Sequence, residues 1–298
     1  MSNKKLIQQY ANTGAIMTKH QLYQLPTNIR KSYLRRRINQ MFAADFDDYD
    51  INSHELVAMS EDIRNEFFSM LDDHNTIDDV LLSKTKSNPE DRFKASTLYI
   101  QYKGSNLTEM DISGIIEANR GSDEIARIIV EAKGDKLEYS DIISIIRKVK
   151  YPNAFADNPY FVKGLRRLMA DNDMLYSVMS NSRGGDQLAD LLIDLDFEDG
   201  VLDIREYYTI IRNVNNPAAL FSKLDIKNQK RLLDALKPNH IYDFIAYSKN
   251  SSETASIVPK DKLMGMANSI GSDGMNHLTS NGNNKKLTNY FKELGVEW

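Results

Sequence analysis

Leu137-Glu-Tyr-Ser-Asp-Ile-Ile-Ser-Ile-Ile-Arg-Lys-Val-Lys-Tyr-Pro-Asn-Ala-Phe155 and Leu202-Asp-Ile-Arg-Glu-Tyr-Tyr-Thr-Ile-Ile-Arg-Asn-Val-Asn-Asn-Pro-Ala-Ala-Leu-Phe221 are two versions of one pattern. Leu137, Ile145, Ile146, Arg147, Val149, Pro152 and Ala154 match Leu202, Ile210, Ile211, Arg212, Val214, Pro217 and Ala219 at a constant offset of 65. The preceding stretches 121–132 and 184–195 correspond at an offset of 63, and the first half of the pattern recurs at 107–116 and 224–238. Self-similarity of this kind marks a duplicated supersecondary unit.

The spacing of apolar residues says what the unit is. Ile125, Ile128, Ile129 and Ala132 fall at i, i+3, i+4 and i+7, as do Leu188, Leu191, Leu192 and Leu195. Ile142, Ile145, Ile146 and Val149, and Tyr207, Ile210, Ile211 and Val214, repeat it. That spacing lines one face of an α-helix. Thr108 with Asp111, Glu138 with Asp141 and Asp203 with Glu206 are capping-box pairs that mark helix starts, and Pro152, Pro217 and Pro238 mark ends. A helix with one apolar stripe must bury it against another helix. The expected fold is all-α: tandem helix–loop–helix repeats, packed as a bundle or short α-solenoid, with a flexible C-terminal tail. ALFSKLDIKNQKRLLDALKPNHIYDFI at 219–245 is similar in form to the leucine-rich hairpins of bacterial α-solenoids.

Outward from the repeats, four regions are expected. They are a basic helical arm (1–44), an acidic helical segment with linker (45–92), the repeat domain (93–247) and a linker ending in an amphipathic helix (248–298). Within the repeat domain the units run over about 104–155 and 167–221, with a half-unit at 222–247. ASTLYIQYK at 95–103 reads as a short strand or extended connector, and the Ser-, Asn- and Gly-rich 248–284 as mobile.

Charge is distributed unevenly. Residues 1–44 carry eight cations (Lys4, Lys5, Lys19, Arg30, Lys31, Arg35, Arg36, Arg37) and no carboxylate, whereas 45–80 carry twelve carboxylates and only Arg64. A net −4 over 298 residues conceals the swing. An arm of this kind binds an anion: nucleic acid, the neighbouring acidic segment, or that segment of another copy, against the plainer reading of a solvated face. Thr18–Gln21 is a capping box opening a short helix, and Thr27 can cap a second over about 28–41, with Leu34, Ile38 and Met41 as its apolar stripe. In outline the pair resembles a helix-turn-helix. Arg30, Lys31, Arg35, Arg36 and Arg37 are the candidate residues for nucleic acid or an acidic partner. At the other end Tyr290, Phe291, Leu294 and Trp298 form an aromatic helix that either docks in a partner's groove or folds back.

Catalytic signatures are missing from the sequence. It has no GxGxxG, GxxxxGK[ST], HExxH or GxSxG, and its five histidines form no i, i+4 pair. The absence of cysteine removes thiolate chemistry and suits a reducing compartment. No catalytic residue, cofactor or metal is expected. The nearest thing to a metal site is the stretch from Asp194 to Glu206, which resembles an EF-hand calcium loop, with Asp194, Asp196, Glu198 and Glu206 as its acids. Counted from Asp194, Gly200 falls at position 7 and Glu206 at 13, one residue beyond the required register. His74 between Asp72-Asp73 and Asp78-Asp79 reads as a solvated loop.

No run of 18 apolar residues and no secretory leader is evident, so a cytoplasmic location is expected. A composition rich in Asn, Ile, Asp and Tyr, poor in Pro and without Cys, is similar to that of large tailed-bacteriophage proteins, which would place the chain in host cytoplasm or virion. The expected function is that of a non-catalytic helical interaction or assembly protein, an adaptor or structural component, contacting a protein partner or its own copies through the basic N-terminal arm and the aromatic C-terminal tail. The alternative is a nucleic-acid-binding accessory protein using the Arg-rich helix.

Overall fold

The computed structural model describes residues 16–43, 51–72, 88–200, 202–280, 285–296 and 298. Every regular element among them is helical. Lys4, Lys5, the 45–50 acidic run, Asp73, His74, Asp78, Asp79 and the Glu198 side chain lie outside the description. The chain divides into two compact units, Met1–Val149 and Lys150–Trp298, with the division falling inside the 93–247 stretch.

The first unit contains α1 (Lys19–Tyr23), α2 (Thr27–Ala43), α3 (Ser53–Ala58), α4 (Glu61–Asp72), α5 (Pro89–Lys103), α6 (Glu109–Ala118), α7 (Asp123–Lys133) and α8 (Tyr139–Lys148). The capping box of α1 is present, with Thr18 N donating to Gln21 Oε1 and Gln21 N to Thr18 Oγ1. Helix α2 starts at Thr27, directly after Pro26, whose carbonyl takes the first two amide bonds. Its stripe of Leu34, Ile38 and Met41 is buried, as expected. The 95–103 segment, by contrast, is no strand. It continues the helix that Asn88 caps and Pro89 opens, so the end of the linker expected before residue 93 is helical as well. Pro at the first helical position has no amide to satisfy, and a carboxylate at Glu90 meets the positive end of the helix. Those start signals outweigh the alternation in 95–103.

Helices α5–α6 and α7–α8 share one turn geometry. Lys103-Gly104 and Lys133-Gly134 end the first helix of each pair, with φ/ψ of 53°/−127° at Gly104 and 51°/−122° at Gly134. A side chain is strained there, so both positions require glycine. A single 3₁₀ turn follows each (Gly104–Asn106, Gly134–Lys136). The next helix then opens on a carboxylate three residues in: Thr108 N donates to Asp111 at 2.8 Å and Glu138 N to Asp141 at 2.9 Å. Leu107 with Ile112 and Leu137 with Ile142 have the spacing of a hydrophobic staple. Ile142, Ile145 and Ile146 are buried, each contributing roughly 1.5–3 kcal/mol of apolar transfer. Helix α6 packs on α8, and α5 on α7.

The second unit begins with a 3₁₀ turn (Pro152–Phe155), followed by α9 (Pro159–Met169), α10 (Asn172–Asn181), α11 (Gly185–Asp199), α12 (Ile204–Arg212), α13 (Pro217–Phe221) and α14 (Ile226–Ala235). It closes with α15 (Pro238–Ala246), α16 (Ser251–Ser256), α17 (Lys260–Ser280) and α18 (Lys285–Glu293). Pro152, Pro217 and Pro238 all open the next helical turn, so these prolines start elements as much as they end them. The expected mobile stretch 248–284 is largely helical. Helix α17 bends at Gly271 and packs extensively on α15 through a unit core that holds Leu263, Met266, Met275 and Leu278. Leu263 and Met266 before the bend, and Met275 and Leu278 after it, are each about a turn apart, which gives each half of the helix an apolar face.

Candidate interaction surfaces

The basic helix is largely neutralised within its own unit. Lys31 Nζ lies 3.2 Å from Asp62, and Arg35 lies 3.6 Å from Asp62 and 3.7 Å from Glu66, all on α4. Arg30 lies over the Tyr23 ring at 5.4 Å. Arg37, a candidate for phosphate contact, is buried: its Nε donates to Glu55 Oε1 at 3.2 Å. Glu55 is itself buried and also accepts from Tyr33 Oη (3.1 Å) and Asn52 N (3.0 Å). Burial, and then the Glu55 carboxylate, pushes the Tyr33 phenol well above its ordinary range. Arg36 alone of the five is exposed with no partner among the described residues. The structure therefore spreads the five cations over different environments and makes no single reading face of them.

The neighbouring Ser60 and the Lys31 ammonium, which donates to both carboxylate oxygens at 3.2 and 3.3 Å, hold the Asp62 carboxyl down to about 2. A depressed carboxylate contributes stability above its ordinary pKa near 3.8 and loses it as pH falls through the folded value. An NMR titration should therefore find Asp62 with a midpoint near 2, rising towards 3.8 in Lys31→Ala. An unshifted Asp62 in the native chain would show the pairing absent in solution.

The calcium-loop resemblance fails for a structural reason. Helix α11 runs on to Asp199, so Asp194, Asp196 and Glu198 lie on a helix and not in a loop; Gly200 stops it, donating to Asp196 O at 2.7 Å. Asp194 is exposed. The buried Asp196 accepts from Tyr207 Oη and from Leu202 N, the latter at 2.6 Å. Glu206 is the N3 residue of α12, accepting from Asp203 N at 2.8 Å. Among the described residues no group of three His, Asp or Glu is placed to hold a metal ion.

The aromatic tail folds back. Phe291 is buried, Trp298 packs edge-on against it with ring centroids 6.2 Å apart, and Trp298 Nε1 donates to Asn276 Oδ1 on α17 at 3.2 Å. Tyr290 and Leu294 are half-buried. Helix α18 packs on α16 and α17, so these four residues cover their own unit.

The first unit carries open clefts among its described residues. One, of about 650 Å³, runs between the two glycine turns and is floored by Lys133, whose buried ammonium donates to Leu107 O and pairs with Asp141, each at 2.7 Å. Another, about 500 Å³, is bordered by Met17, His54 and the Lys19–Asp91 ion pair at 2.5 Å. His54 Nε2 is 2.9 Å from Met17 O. In both clefts the polar groups named are engaged with one another.

Large apolar side chains, which no sequence pattern singled out, stand exposed instead. Ile226 is 83% exposed, Met110 71% and Tyr247 69%, while Tyr176 and Phe197 are about half exposed. Met110 and Ile226 sit in the first turns of α6 and α14. Comparison with protein-family models, curated proteins and solved structures finds no match. No helix among the described residues is long and apolar enough to cross a membrane.

Proposed function

We propose that this chain is a non-catalytic helical interaction protein, an adaptor or assembly component built from tandem helical hairpins. The observation that carries it is the exposed set Met110, Tyr176, Phe197, Ile226 and Tyr247. Met and aromatic side chains are the types that protein interfaces favour. The repeated Lys-Gly turn and capped second helix of α5–α6 and α7–α8 support the hairpin reading. Contacts then come from the helical body, since the aromatic tail is committed to α16 and α17. The nucleic-acid alternative is left with Arg36 and the partly paired Arg30, Lys31 and Arg35.

The test is light-scattering chromatography with native mass spectrometry at low and high salt. A defined assembly, with itself or with a co-purified protein, is expected. A monomer recovered alone overturns the reading. A monomer that carries nucleic acid at low salt and sheds it at high salt replaces it with the alternative.

A further inference from the structure

A group of exposed cations lies on α14, far along the sequence from the Arg-rich helix. Of the α14 residues only Leu232 is fully buried. At 3.6 residues per turn, Ile226, Lys227, Lys230, Arg231 and Asp234 share an outward arc of about 140°, and all five are exposed. Lys227 and Lys230 have no ion-pair partner among the described residues, and Arg231 reaches only Asn228 Oδ1, at 3.4 Å. Lys262 adds a cation at the C-terminal end, its Nζ 3.3 Å from Asp234 O. Ile226, 83% exposed, stands at the N-terminal end of the same face.

We infer that α14 is a docking ridge for an acidic amphipathic segment of a partner protein, one in which carboxylates a helical turn apart flank an apolar side chain. Charge complementarity selects the carboxylates: Lys227 and Arg231 are a turn apart, with Lys230 beside them. Ile226 selects a protein over a polyphosphate, because a phosphate backbone gives an exposed isoleucine nothing to bury against. The acids on this surface point the same way. The whole chain is net −4, so a long polyanion meets repulsion beyond the ridge, where a short acidic segment meets three cations set against Asp225 and Asp234.

The inference rests on the interaction reading above but fails separately from it. The probe is a fluorescein-labelled 16-residue peptide of glutamate with leucine at every fourth position, compared with an all-glutamate peptide and a single-stranded 16-mer oligonucleotide by anisotropy on the full chain. The leucine peptide should bind tightest. Charge reversal in Lys227→Glu/Lys230→Glu/Arg231→Glu should weaken it by about tenfold or more, and Ile226→Ser by about threefold, for the leucine peptide only. All four positions are exposed, so the melting temperature should move little. No binding, binding indifferent to these variants, or tighter binding of the oligonucleotide overturns the ridge. An assembled chain with an indifferent ridge leaves the interaction reading standing. A solitary monomer whose ridge binds the peptide leaves the ridge and removes that reading.

Discussion

Replacing Glu55 with alanine should unfold the first unit more readily than any change at its surface. The side chain is wholly buried and satisfies three groups at once: Arg37 and Tyr33 on α2, and the amide of Asn52 that precedes α3. Its removal leaves a buried guanidinium without its carboxylate and a phenol and an amide without an acceptor. Breaking one side of a buried ion pair costs about 3–5 kcal/mol. Glu55→Gln, which keeps an acceptor but not the charge, should recover part of the loss. Urea denaturation of the three chains measures both. A variant within 1 kcal/mol of the native chain, roughly the worth of an exposed pair, would show that the pair is hydrated in solution.

Lys133→Ala should produce a second loss of about 3–5 kcal/mol. The ammonium ties the turn before α6 to the start of α8, through Leu107 O and Asp141. Without it Asp141 keeps the amide of Glu138 but loses its counter-charge, and Leu107 O loses its donor. Lys133→Met keeps the apolar stem and should be milder than alanine, because part of the side chain's contribution is packing. Asp141→Asn is the complementary variant, and the double change Lys133→Met/Asp141→Asn should cost less than the two singles summed. Additive losses would mean the two groups act independently.

Much of the helical organisation was legible because helices are specified locally. The i, i+3, i+4 stripes at 125–132, 142–149, 188–195 and 207–214 and the carboxylates at Asp111, Asp141 and Glu206 act within one or two turns, so a single strand of text contains all the information. The recurrence at 107–116 extends back to a Lys-Gly pair. Lys-Gly-x-x-Leu-x-x-x-Asp-Ile-x-x-Ile-Ile occurs at 103–116 and again at 133–146, an offset of 30, and it marks both glycine turns. Alternation misled at 95–103, where the helix start at Asn88-Pro89 lies outside the short window. In 248–284 the buried apolar residues of α17 are diluted by polar neighbours, and composition weighs the neighbours.

The interaction surfaces divided differently. The sequence by itself determined that the chain would be helical, that its helices would start at those caps, and that positive charge would concentrate before residue 44. Only the tertiary structure decided which charges remain available. Glu55, Asp62 and Glu66 are 18 to 31 residues from the cations they meet, so the neutralisation of α2 comes from packing and not from composition. Packing within the second unit leaves the cations of α14, fewer in number, exposed. A charge is worth what its surroundings leave unsatisfied, and those surroundings are set by elements distant in the chain.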